Sequence, residues 1–136
     1  MIQRVQTIWM ILATIAIFLT LKFSFYSGTL IADNSFHSLL ATDHFLLTVL
    51  TSAMGGGILI NLFLYKHRTV QFRICIIAIL LECLLLFIYY RQTLLYSKGT
   101  LDLWAIFHLV ILISLIFAAR AIYKDDKLIK DSNRLR

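Results

Sequence analysis

Four apolar runs alternate with short polar stretches along the chain, near residues 5–25, 44–65, 71–90 and 101–122. Such runs are read as membrane-crossing helices. A hydrocarbon core of about 30 Å needs roughly 20 residues at 1.5 Å each and offers backbone groups no water. The pattern predicts an all-α membrane protein: an antiparallel bundle of four transmembrane helices, forming one domain over residues 1–136. The third run, QFRICIIAILLECLLLFIYY, carries one acid, Glu82, between Arg73 and Arg91. An ionised, unpaired carboxylate at that depth costs about 2.5–3.5 kcal/mol on insertion scales, so it must be paired, shielded or protonated.

The stretches between the runs set the connections. Residues 27–43, SGTLIADNSFHSLLATD, mix the turn formers Ser27, Gly28, Asp33, Asn34 and Ser35 with Phe36, Leu39 and Leu40. That mixture predicts a short external segment lying against the membrane face or a partner. Asp43, just before the second run, is placed to cap its helix. KHRTV is so short that spans two and three must be antiparallel neighbours. The tail, RAIYKDDKLIKDSNRLR, contains no proline or glycine to stop the fourth helix. It predicts a helical tail over 123–136, supported by an Asp126–Lys130 pair at i,i+4.

Composition agrees with this picture. The 136 residues are 60% hydrophobic and lack proline, with a mean hydropathy of +0.85, which leaves too little polar surface for a soluble domain. Of the 13 Lys and Arg, all but Lys22, Arg91 and Lys98 fall on one predicted side of the membrane. Cytoplasmic loops carry the excess of basic residues, so both termini and the middle hairpin are expected in the cytoplasm. The first run is longer than a signal-peptide core and no small-x-small cleavage site follows it, so it is expected to stay as a span.

Candidate chemistry is sparse. Cys75 and Cys83 lie eight residues apart on one helix, about 12 Å, which is too far for a disulfide. Both are expected to be buried packing residues. Thr48, Ser52 and Gly56 recur every fourth residue with Gly55 beside them, a spacing that lets helix backbones approach closely in lipid. In the third run, Cys75, Ala78, Glu82 and Tyr89 share a stripe. Counted inward from the outer boundary, Glu82 lies about 12 Å deep, His108 about 9–10 Å, and Thr51 and Ser52 about 11–12 Å. These four residues predict an intramembrane polar cluster. It would either carry a proton or cation, or hold a protonated Glu82 in a hydrogen bond that locks the packing. A haem between His44 and His108 fits poorly, since their depths differ by about 9 Å. No cofactor or metal is expected. The tail lacks the aromatic interleaving of a nucleic-acid surface.

Three strings, MIQRVQT, FLYKHRTVQFRICII and RAIYKDDKLIKDSNRLR, together resemble a four-span inner-membrane family of the Bacteroidetes known as a domain of unknown function. The resemblance covers the whole chain. It implies an uncleaved first span, both termini inside and a bacterial inner-membrane location, and it carries over no catalytic residue. Its polar positions fall on Gln3, Arg4, Gln6, Lys66, Arg68, Arg73, Arg120, Lys124, Asp125, Arg134 and Arg136. Glu82 and His108 are outside those strings.

Short loops leave little room for a soluble active site, so a non-enzymatic accessory or assembly subunit is expected. Its contacts with lipids or with another membrane protein would run through Arg4, Lys66, Arg68, Arg73, Arg120, Lys124, Arg134 and Arg136. The pattern also leaves room for a homo-oligomer. The alternative is a small proton- or cation-coupled transporter using Glu82 with His108. Four-span multidrug exporters are similar in size, but they carry their embedded acid in the first span and not the third.

Overall fold

The computed structural model describes residues 2–134, with side-chain surroundings for 5–132 and 134. Four helices carry the chain up and down: α1 (Ile2–Thr20), α2 (Phe45–Phe63), α3 (Arg68–Thr93) and α4 (Ile106–Arg134). Each packs on two neighbours in the cyclic order α1, α2, α3, α4, and the most extensive contact is between α1 and α4. Those two helices face each other with Ala13, Ala16 and Ile17 on one side and Leu115, Ala118 and Ala119 on the other, all buried. Small residues let the backbones come close.

The molecule is not all-α. Three short strands, β1 (Tyr26–Leu30), β2 (Phe36–Leu39) and β3 (Tyr96–Leu101), form an antiparallel sheet in the order β2-β1-β3. The long loop therefore folds as a hairpin, and the second outer connection adds a strand to it. Asn34 makes the turn at φ 50°, a left-handed conformation that asparagine tolerates. Gly28 stands opposite Gly99 in the register of β1 and β3. A Cβ on Gly28 would collide with the Lys98 carbonyl, and one on Gly99 with the Tyr26 ring. The paired glycines let β1 and β3 close up under that ring.

The sheet explains why the first span is shorter than expected. The hydroxyl of Thr20 donates to the Ile17 carbonyl, and the amides of Lys22 and Phe23 close on Leu19. Residues 21–25 then leave the helix, and Phe25 donates its amide to Leu39 in the hairpin. The Asp102 carboxylate fixes this exit, accepting from Ser24 and from Ser27 at 2.6 Å. α2 is slightly shorter than its apolar run and α4 begins five residues later than expected, whereas α3 is longer and the tail is helical as expected. α3 extends from Arg68 to Thr93, and α4 runs unbroken through the predicted tail to Arg134.

Two local expectations are corrected. Asp43 does not cap α2; its carboxylate accepts the Leu40 amide at 2.7 Å and closes a 3-10 turn at Ala41–Asp43. His44 occupies the cap position of α2 without a side-chain bond. The packing stripe Thr48, Ser52, Gly56 is also displaced. The buried face of α2 is Leu47, Thr51, Met54, Gly55, Ile58 and Asn61, rotated by about 100° from the stripe. Ser52 is exposed and Thr48 half-buried, and a Cβ on Gly56 would touch nothing within 4 Å. Gly55 alone of the four makes the close approach: a Cβ there would lie 3.2 Å from Ile17 Cγ2 and 3.3 Å from the Phe18 ring. The helix is continuous through Gly55–Gly57.

The outward faces of the bundle are apolar. Ile8, Ile60, Phe63, Leu80 and Leu109 all stand exposed, the inverse of a water-soluble bundle. Three stretches, Phe45–Phe63, Arg68–Thr93 and Leu103–Ser132, are long and apolar enough to cross a membrane; the apolar run of α1, Val5–Thr20, is shorter. Cys75 is buried as expected, whereas Cys83 is exposed on that apolar outer face.

Candidate functional site

The sequence of α3 sets the inner face of the site. Gln71, Cys75, Ala78, Glu82, Leu85 and Tyr89 recur at helical spacing and are all buried. Glu82 sits near the middle of this stripe with no exposed surface. One turn into α4, His108 faces it, and Nδ1 of the ring lies 2.6 Å from Glu82 Oε1. Two of the four residues predicted to cluster are thus in direct contact, and their carboxyl–imidazole bond is shielded from solvent.

Aromatic rings enclose the imidazole. Tyr89 stands edge-on at 5.0 Å between ring centroids and Phe25 at 5.3 Å. These two rings stack on each other at 4.5 Å. Phe25 belongs to the turn that ends α1 early, so the outer sheet anchors one wall of the site. Sequence reading missed this wall, because it treated residues 21–25 as helix.

Thr51 is also fully buried, and the register of α2 against α3 fixes its level. The Asn61 amide donates to the Gln71 carbonyl at 3.2 Å and reaches Cys75 Sγ at 3.3 Å. From that crossing Thr51 lies about 15 Å along α2, and Glu82 about 10–17 Å along α3. The two are level within about a turn. Thr51 Oγ1 and Glu82 Oε2 are both buried without a hydrogen-bond partner among the described residues. Ser52 does not join them, since it faces outward.

A second polar group, unforeseen as a cluster, lies at the end of the bundle that carries the termini. Gln71 Nε2 donates to the Asn61 carbonyl at 3.3 Å and reaches Met10 Sδ at 3.6 Å, while Gln6 Nε2 approaches Gln71 Oε1 at 3.4 Å. These amides tie α1, α2 and α3 together. Asn61 within an otherwise apolar helix was the one signal in the sequence. Beside them Arg68 and Asp125 form an ion pair at 2.5 Å, joining the α2–α3 turn to the root of the tail.

The predicted basic contact residues divide accordingly. Lys66, Arg73, Arg120, Lys124 and Arg134 are exposed. Arg68 is not free for a partner, because Asp125 holds it and its side chain is only 18% exposed. The Arg4 side chain and Arg136 lie outside the described residues. Further along the tail, Lys130 bonds Asp126 at 2.7 Å, and that bond raises the ammonium above its ordinary pKa. Among the described residues no three His, Cys, Asp or Glu side chains gather as a metal site. His44 caps α2 and lines an outer groove with His37 and Asp43, apart from the enclosed His108.

This geometry defines a mostly helical protein of membrane type, built on four helices with a small sheet over one end. The chain belongs to the family described as a domain of unknown function, DUF4293, whose model matches residues 2–135. No curated protein and no solved structure shows a significant match.

Proposed function

We propose that this chain is a non-enzymatic, four-span protein of a bacterial inner membrane, with both termini in the cytoplasm, serving as an accessory or assembly subunit of a larger membrane complex. The short apolar run of α1 would complete the fourth crossing with help from the sheet-end turn. The observation carrying this reading is the distribution of cations. At the terminal end Arg68 is neutralised within the fold, while Lys66, Arg73, Arg120 and Lys124 stand exposed. Such a rim suits an acidic partner surface or anionic headgroups. A photo-crosslinking residue at Lys124 in intact cells should capture one discrete protein, and R120E with K124E should abolish the adduct. Crosslinks to lipid alone, or a periplasmic tail in reporter fusions, would refute it.

A second reading is favoured by the Glu82–His108 bond at 2.6 Å: a small proton- or cation-coupled transporter. It predicts that E82Q abolishes coupled flux in vesicles at unchanged expression. Flux that persists in E82Q removes it.

A further inference from the structure

Glu82 is the only glutamate in the chain. It is the one acid on the buried stripe of α3, and its polar environment is half complete. Oε1 bonds His108, while Oε2 has no partner among the described residues, and the same holds for the fully buried hydroxyl of Thr51. A half-satisfied buried network is less stable than an apolar core. A carboxylate oxygen and a hydroxyl oxygen within about a turn of one level are hard donors, which suit hard cations over soft metals.

We infer that Glu82, Thr51 and His108 form a binding site for one hard monovalent cation, a proton or an alkali ion, in the interior of the bundle. This deepens the second reading given above and rests on it for its biological use, though not for binding itself. Glu82 Oε2 and Thr51 Oγ1 take the cation. His108 holds Oε1 and positions the carboxylate through the 2.6 Å bond. A single positive charge is what the site suits: it offsets the one carboxylate, whereas a divalent ion would leave net charge in a low-dielectric interior.

Few other charges reach this depth. From α3 the other titratable group toward the site is Tyr89, whose ring borders His108. From α4 it is His108 itself, since Arg120 is exposed toward the opposite end. Residues 5–20 of α1 and all of α2 contain no charged side chain, and they bring only the buried hydroxyls of Thr14, Thr20 and Thr51. The turn after α1 contributes Phe25, with Lys22 exposed. From the outer connections Asp43, which holds the Leu40 amide, acts on Tyr89, and Asp102 holds Ser24 and Ser27 beside Phe25; within the bundle the site is set by Glu82, His108 and Tyr89.

The unique glutamate makes the test direct. Full-length protein in micelles, grown with glutamate carrying carbon-13 at its side-chain carboxyl, gives one carboxyl resonance for Glu82. In one arm, sodium, potassium or lithium chloride replaces N-methylglucammonium chloride at constant pH and ionic strength. In the other, pH moves from about 5 to about 8 without alkali ions. A saturable response to an alkali ion identifies that ion as the occupant, and a response to pH alone that persists in H108Q, where no imidazole stands beside the carboxylate, identifies the proton; either supports the site. T51V should weaken the wild-type response by about tenfold. A resonance that moves in neither arm overturns the site, and an equal response in T51V removes Thr51 from it. These results are independent of flux. A chain that binds in micelles yet moves nothing across vesicles keeps this site and loses the transporter reading.

Discussion

Arg68 and Asp125 meet at 2.5 Å across the turn between α2 and α3 and the start of the helical tail, with 18% and 11% of their side chains exposed. An ion pair this shielded is costly to break, because the surviving charge is left half-buried and alone. D125N should therefore loosen the tail, and limited proteolysis of the chain in micelles should cut after Lys124 faster than in wild type. The swapped pair, R68D with D125R, should slow the cleavage again. A cleavage rate unchanged in D125N would show that packing alone fixes the tail.

The Glu82–His108 bond is predicted to matter more when broken than when removed. Deleting one partner leaves the other buried and alone, at a cost of about 3–5 kcal/mol, whereas replacing both by apolar residues of similar volume is often neutral or stabilising. H108L should lower stability in denaturant titrations by that amount, and E82L with H108L should recover most of it. If the double variant is less stable than H108L, the pair contributes net stability and this account is wrong.

Asn61 makes two bonds that hold α2 to α3, to the Gln71 carbonyl and to Cys75 Sγ. N61L should cost about 0.5–1.5 kcal/mol, because one buried hydrogen bond between the helices is lost while the Gln71 carbonyl keeps its helical donor. Hydrogen exchange would show the loss as faster exchange in the first turns of α3.

Gly28 is predicted to reject any side chain. Its Cβ would enter the Lys98 carbonyl, which is backbone and cannot swing aside. G28A should cost about 1–3 kcal/mol and free the amides of β1 and β3 to exchange, with the helical signal in circular dichroism retained.

Tyr96 gives the sheet a dependence on high pH. Partial burial is the largest cause raising its phenol, followed by the charge of Asp43. A raised value means the fold favours the neutral phenol. Its contribution is therefore whole below the ordinary tyrosine value of about 10 and fades as pH climbs through the higher folded value. Amide exchange in β3 should accelerate above about pH 10 in wild type, and less so in Y96F.

The helices were legible because lipid demands long apolar runs, and the buried stripe of α3 followed from spacing alone. The contact between Glu82 and His108 was foreseen from depth counted along two runs. Depth cannot supply rotation, however, and so Ser52 was grouped with Thr51 although it faces outward. The same gap misplaced the packing stripe of α2. The sheet was hidden for another reason. YSGTL, FHSL and YSKGTL are short and polar, and two are separated from the third by two helices. Nothing local in them announces the pairing. The Arg68–Asp125 ion pair was equally invisible, since Arg68 read as one more cation of a basic surface and Asp125 only as a polar position of the tail.

The sheet joins the link between α1 and α2 to the link between α3 and α4, because β1 pairs with β3. That stitch fastens the helix ends at one pole, whereas at the other the chain links only α2 to α3 and the remaining ties among the described residues are side-chain contacts at Gln6, Asn61, Gln71, Arg68 and Asp125. Any large opening of this molecule should therefore pivot about the stitched pole, spreading the helices like the ribs of a fan at the end that carries the termini.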